Sequence, residues 1–258
     1  MLPLLLGLTL TVSQPSPTAV AQFGYTWPVD RDRHPEHIIA GASQAYVPQE
    51  GDLLFYSAKR PLFRMLYAMA GTFKPYHSAI VVRRANGSFA LLEAGPRGYE
   101  EVVLLTFEER FRTHFETSEE GVIWVRRLKC PLSPMESARL TQFAETQVGK
   151  DFAFGRLAMQ VTPLRSRGVL GRFTKKSTPA NKTWFCSELV ATALLDMGRA
   201  RGSYDVRQIF PRDQFYDRIM DLSPGWELPR RWTWRPCPSD PSQSMQDIRT
   251  MPRGGVVP

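Results

Sequence analysis

Three cysteines in 258 residues, Cys130, Cys186 and Cys237, cannot build a disulfide framework. No two of them stand in the C-x-x-C spacing of a structural metal pair. Cys130 and Cys237 both adjoin prolines, which places them in loops. In an oxidising compartment they form a candidate pair that leaves Cys186 free. Long apolar runs are lacking as well: Leu2 to Val12 is too short for a comfortable span, and nothing later is long enough. There is no internal repeat and no base-reading motif. The motifs present call for no cofactor and no metal.

Acidic residues are in deficit, 25 against 33 basic ones, for a formal charge of +8 and an isoelectric point near 9.6. Such a balance suits anionic surroundings. The cations are scattered except between Arg165 and Lys176, so no nucleic-acid partner is expected. An anionic cell-wall or lipid substrate and peripheral membrane contact stay open, beside the plainer reading of a basic, solvated surface.

What the chain does contain is enough apolar residue, 43%, to bury one core. Residues 1–21 have the order of an export signal: the apolar stretch, a polar Ser13-Gln14-Pro15-Ser16-Pro17, then Ala19-Val20-Ala21 as an A-x-A cleavage site. No Lys or Arg precedes the apolar run. An exported protein is expected, with an uncleaved anchor as the alternative. Residues 22–46 read as a polar leader, a flexible linker; its Asp32, His34, Glu36 and His37 fit no helix face. The main domain is expected over 47–235, and 236–258 as a tail without order.

Within the domain, Cys186 stands where a loop becomes a helix. Leu189, Val190, Ala193 and Leu194 follow at the spacing of one buried stripe. A cysteine in a first turn lies beside unpaired N–H groups and the positive end of the helix dipole, which can lower its pKa to roughly 3.5–7.5. Buried cysteine is also a common apolar filler, so a base is needed. His77 opens the strand-like run His77-Ser78-Ala79-Ile80-Val81-Val82, and Phe89 to Ala94 reads as its hairpin partner. Glu93 closes that apolar run, an odd place for a carboxylate without a partner. A two-residue loop at Asn86-Gly87 pairs Glu93 with Ile80 and turns it away from His77. A three-residue loop, Ala85-Asn86-Gly87 with Gly87 left-handed, pairs it with Ala79 on the histidine's face, roughly 7–8 Å away on the diagonal.

These residues resemble the permuted papain-fold amidases of the YaeF/YiiX type, relatives of the NlpC/P60 peptidases and of the lecithin–retinol acyltransferase group. The resemblance rests on Glu50-Gly51-Asp52-Leu53-Leu54-Phe55, Tyr76-His77-Ser78-Ala79-Ile80-Val81, Leu92-Glu93-Ala94 and Phe185-Cys186-Ser187-Glu188-Leu189-Val190. The histidine precedes the cysteine, the reverse of ordinary papain-like enzymes. The resemblance implies an α+β fold, an antiparallel sheet packed against helices, circularly permuted and papain-like. It implies Cys186 as nucleophile, His77 as base and Glu93 as the residue that orients the base. Tyr76 is a weaker candidate as a substrate or oxyanion contact. The implied activity is a thiol hydrolase acting on an amide in wall peptide or lipid; the alternatives are a thioester-based acyltransferase and a non-catalytic envelope-binding module.

Around this core the expected elements are a strand over 53–56 and a helix over 61–70 packing Leu62, Met65, Leu66 and Met69 into the core, or lining an acyl groove. A strand over 101–105, a helix over 107–115 carrying His114 and a strand over 121–128 follow. A helix over 134–148 has Ser133 and Glu136 as a capping box and Gly149 as its stop. Residues 161–181 are a cationic lid or a solvated loop, a last helix opens at Pro211, and Trp232 and Trp234 close the packed part.

Overall fold

Strands whose residues are buried on both sides organise the molecule. The computed structural model describes residues 23–39, 41–57, 61–69, 71–95, 100–111, 121–160, 162, 167, 180–200 and 205–234. The expected export segment, His114, Cys237, the tail and most of 161–181 lie outside the described residues.

The strands are β1 (Tyr25–Asp30), β2 (His34–Ile38), β3 (Gln44–Ala45), β4 (Leu53–Tyr56), β5 (His77–Arg83), β6 (Phe89–Ala94), β7 (Val102–Leu105), β8 (Ile123–Arg126), β9 (Asp151–Phe152), β10 (Thr183–Trp184) and β11 (Arg230–Thr233). The helices are α1 (Pro61–Met69), α2 (Pro134–Gln147), α3 (Phe154–Met159), α4 (Cys186–Asp196) and α5 (Pro211–Tyr216). Nine strands form one antiparallel sheet in the order β2-β1-β11-β8-β4-β5-β6-β7, with β3 paired to β1; β9 and β10 form a short parallel pair. The fold is α+β, an antiparallel sheet packed against helices.

Both faces of the central strands are covered, so β4 and β8 are buried at every position instead of alternating with solvent. Leu53, Phe55, Ile80, Val82 and Leu92 pack beneath α2 and α4, against Leu140, Phe143, Leu189, Val190 and Leu194. Leu54, Tyr56, Ala79, Val81 and Leu91 face the other way, onto Phe107, Phe111 and Trp232. Each fully buried Leu or Phe contributes about 1.5–3 kcal/mol. α2 begins with the expected box: Ser133 Oγ accepts from the Glu136 N–H, and Glu136 accepts from the Ser133 N–H.

Three expectations are corrected. The polar leader is no linker, for β1 pairs with β2, β3 and β11. Polar residues suffice there because main-chain and long polar groups hold it: Trp27 Nε1 donates to Thr233 Oγ1, Trp124 Nε1 to the Pro35 carbonyl and Arg231 to the Glu36 carbonyl. β11, unexpected in a Pro- and Arg-rich end, is the strand that receives it. On α1, Met65 and Met69 are about half exposed and do not join the core.

Candidate active site

The β5–β6 hairpin sets the position of the base. Ile80 pairs with Leu92 and Arg83 with Phe89, the register that places Glu93 opposite Ala79. Arg84 N–H donates to the Ser88 carbonyl, closing a three-residue loop in which Gly87 has φ +83°. A side chain there would be strained, and glycine is not. This odd loop brings His77 and Glu93 to one face: Nε2 of His77 lies 2.6 Å from Glu93 Oε2.

Glu93 has a second partner that the sequence did not disclose. Arg110, in the helical segment at 107–111, folds over the same face with Nε 2.5 Å from Glu93 Oε1. Its guanidinium also lies over the Tyr56 ring, 4.2 Å from the centroid, and that ring sits 5.6 Å from the imidazole. Burial alone would push the Glu93 carboxyl up; the Arg110 charge, followed by His77, overcomes it and brings the group down to about 2. Glu93 is therefore held as an anion near neutral pH.

The nucleophile candidate arrives from the opposite face. β10 pairs with β9, and Trp184 donates to Gln147 Oε1 at 3.1 Å, which fixes the entry into α4. Glu188 then clamps the first turn. It accepts from the Phe185 N–H at 3.3 Å and from Asn181, and it pairs with Arg156 at 2.7 Å. The two faces meet at the start of β5. There the Cys186 sulfur is hydrogen-bonded to His77 and receives the backbone N–H groups of Ser78 and Ser187.

Burial would raise the Cys186 thiol, but the imidazole and these N–H groups outweigh it, and the thiol is lowered below its ordinary value. Burial would likewise lower His77; the neighbouring Cys186 and Glu93 raise it instead. Opposite shifts of this kind favour a thiolate–imidazolium pair. With Nε2 committed to Glu93, Nδ1 is the ring nitrogen left for the sulfur. Gly95 shapes the remaining side: a Cβ there would stand 2.6 Å from His77 Cε1, so only glycine leaves the ring its place.

Cys186, His77 and Glu93 are thus brought together, each almost wholly buried. Tyr76 is not in that chain of contacts; its ring stacks on Tyr67, centroids 4.9 Å apart, and lines an adjoining cleft. Arg110, Gly95 and Glu188 were missed. Only Glu188 had a local signal, three residues past the N-cap position Phe185. Among the described residues, no group of three or more His, Cys, Asp or Glu side chains could hold a metal ion.

No family model matches the sequence, and no curated protein does. Among solved structures, the chain is similar to the crystal structure of the metalloprotein yiiX from Escherichia coli O157:H7 (DUF1105). The identity is 18% and the TM-score 0.41, over 71% of this chain and 89% of that one. A likeness so loose decides neither architecture nor chemistry.

Proposed function

We propose that the protein is a thiol hydrolase that cleaves an amide through a thioester on Cys186. The observation that carries this reading is the unbroken buried line Cys186–His77–Glu93–Arg110. A filler cysteine has no use for a base, and a structural histidine has no use for a carboxylate that is itself held by a guanidinium. In the resting pair His77 holds the thiol proton. The Cys186 sulfur attacks the carbonyl carbon, and the carbonyl oxygen takes the negative charge. The Cys186 N–H, in the first turn of α4 and without an intrahelical acceptor, is the natural donor to that oxygen. Collapse of the adduct expels the amine, which leaves with the proton from His77. Water then gives its proton to the imidazole, attacks the thioester and frees the acid. Glu93 holds the ring orientation and stabilises its cationic form throughout.

Alkylation by iodoacetamide, mapped by peptide mass spectrometry, tests the reading with exposed Cys130 as internal reference. Cys186 should react faster than Cys130 near neutral pH despite its burial, and His77→Ala should remove that advantage. A Cys186 slower than Cys130 and indifferent to His77→Ala would sink the proposal. The amidase step itself is read as a thioester mass on Cys186 after exposure to a cell-envelope extract, absent in Cys186→Ser.

A further inference from the structure

A cleft of about 340 Å3, lined by Tyr76, the residue before His77, is left unused by the hydrolytic chemistry. Its walls come from four places in the chain: Arg33 with β2, the stretch from Phe73 to Tyr76, α1 and α5. Four cations line it, Arg33, Arg64, Lys74 and Arg212, against one carboxylate, Glu36. That carboxylate is already engaged by Lys74. Arg64 and Arg212 have no carboxylate partner among the described residues. Arg212 is instead held by aromatic faces, its Cζ 5.4 Å from the Phe73 centroid and 5.7 Å from that of Tyr216. Such contacts orient a guanidinium without neutralising it. A concave wall carrying uncompensated positive charge concentrates anions, and planar guanidinium groups match carboxylate and phosphate oxygens in pairs.

Two links tie this cleft to the site. Tyr76, which lines it, is the residue before His77, and its N–H donates to the Tyr56 carbonyl at 3.0 Å. On the other wall α5, which carries Arg212, is anchored to the nucleophile's own turn: Gln214 Nε2 donates to the Ser187 carbonyl at 3.0 Å, and Ser187 Oγ donates to the Ile209 carbonyl at 2.7 Å. The backbone that carries Arg212 is thereby tied to the turn that carries Cys186.

We propose that this cleft receives an anionic group, a carboxylate or a phosphate, of the amide-bearing substrate, and that Arg64 and Arg212 select for it. This rests on Cys186 as the nucleophile. Its test is built so that the two can fail separately. Iodoacetamides carrying an alkyl carboxylate, an alkyl phosphate or the neutral methyl ester on the amide nitrogen, in a series of chain lengths, deliver the same warhead to Cys186. At one favoured length an anionic reagent should react about tenfold faster than the ester. In the double variant Arg64→Gln/Arg212→Gln that ratio should return to about one, while plain iodoacetamide still alkylates Cys186 faster than Cys130. Which anion gains more tells carboxylate from phosphate. Equal rates for all three reagents, or a preference that survives the double variant, overturns the proposal.

Should the thiol prove inert, calorimetry on Cys186→Ser decides the cleft alone, with phenyl phosphate and benzoate as probes and phenol as control. Saturable anion binding that vanishes on adding Arg64→Gln/Arg212→Gln keeps the anion site, and no binding removes it.

Discussion

Two buried carboxylates, Glu93 at the end of β6 and Asp52 at the start of β4, show how differently one functional group behaves in two dry places. Asp52 accepts the Leu128 N–H at 2.9 Å, the Gln49 N–H at 3.1 Å and the Tyr46 hydroxyl at 3.2 Å. Those donors, with some help from the Arg127 charge, do not offset burial, and its carboxyl is raised to about 7. Glu93 is as deeply buried, yet a guanidinium in direct contact brings it to about 2. In this pair, the buried carboxyl in contact with a full charge is held low, and the one held by hydrogen-bond donors is pushed up. The site uses the anion to hold a cationic imidazole. The turn at Gln49–Asp52 uses Asp52 as an acceptor that ties the start of β4 to Leu128, just past β8.

Removing the guanidinium should make Glu93 resemble Asp52. Arg110→Met leaves an uncompensated buried carboxylate, and the expected loss is about 3–5 kcal/mol in chemical denaturation. Alkylation of Cys186 should slow as well, since His77 loses its fixed anion. Stability unchanged within error would show that the ion pair is not what sets Glu93. Glu93→Gln keeps the shape and removes the charge. Thiol alkylation near neutral pH should then fall by less than the roughly 10²–10⁴-fold loss in turnover expected when His77→Ala removes the base.

The pH dependence of the Glu93 variant gives a second reading. A carboxyl depressed to about 2 from an ordinary 4.5 contributes stability that is whole above 4.5 and is lost as pH falls through 2. The melting temperature of Glu93→Gln should lack that acid decline. Gly95→Ala asks whether ring placement matters apart from charge. Crowding His77 Cε1 should cost about 1–3 kcal/mol and reduce Cys186 reactivity. An unaltered thiol would mean that the ring can shift freely.

The smallest effect has the opposite sign. Asp52, raised to about 7 from 3.8, contributes stability that is whole below 3.8 and declines as pH rises through 7. Asp52→Asn should therefore gain on the native protein as pH increases through that range. A constant difference across it would contradict a raised carboxyl.

Much of the site was legible because its logic is local. The alternation of β5 and β6 with a glycine in the third loop position restricts Glu93 to one of two faces, and the stripe after Cys186 marks a helix start. Ser133 and Glu136 announce their cap three residues apart. Arg110 carries no such mark. Seventeen residues beyond Glu93, it looks like any cation on a short helix, and only the return of that helix across the sheet makes it a partner. The leader misled for a related reason. Its prolines and charges read as solvent-facing, whereas pairing with a strand two hundred residues later demands little of side chains. Met65 and Met69 erred the other way, since helical spacing of apolar residues states which face they share but not whether anything covers it.

By itself the sequence determined the pairing of β5 with β6, where α2 and α4 start and that Cys186, His77 and Glu93 are the residues to seek together, because periodicity, turn geometry and capping act over a few residues. Tertiary structure alone decided that Cys186 and His77 meet from opposite faces at one strand end, that Arg110 reaches Glu93, and that Arg64 and Arg212 line one cleft with Tyr76. Those are contacts between distant segments, and their energies depend on burial and charge proximity that no stretch of chain possesses until it is folded.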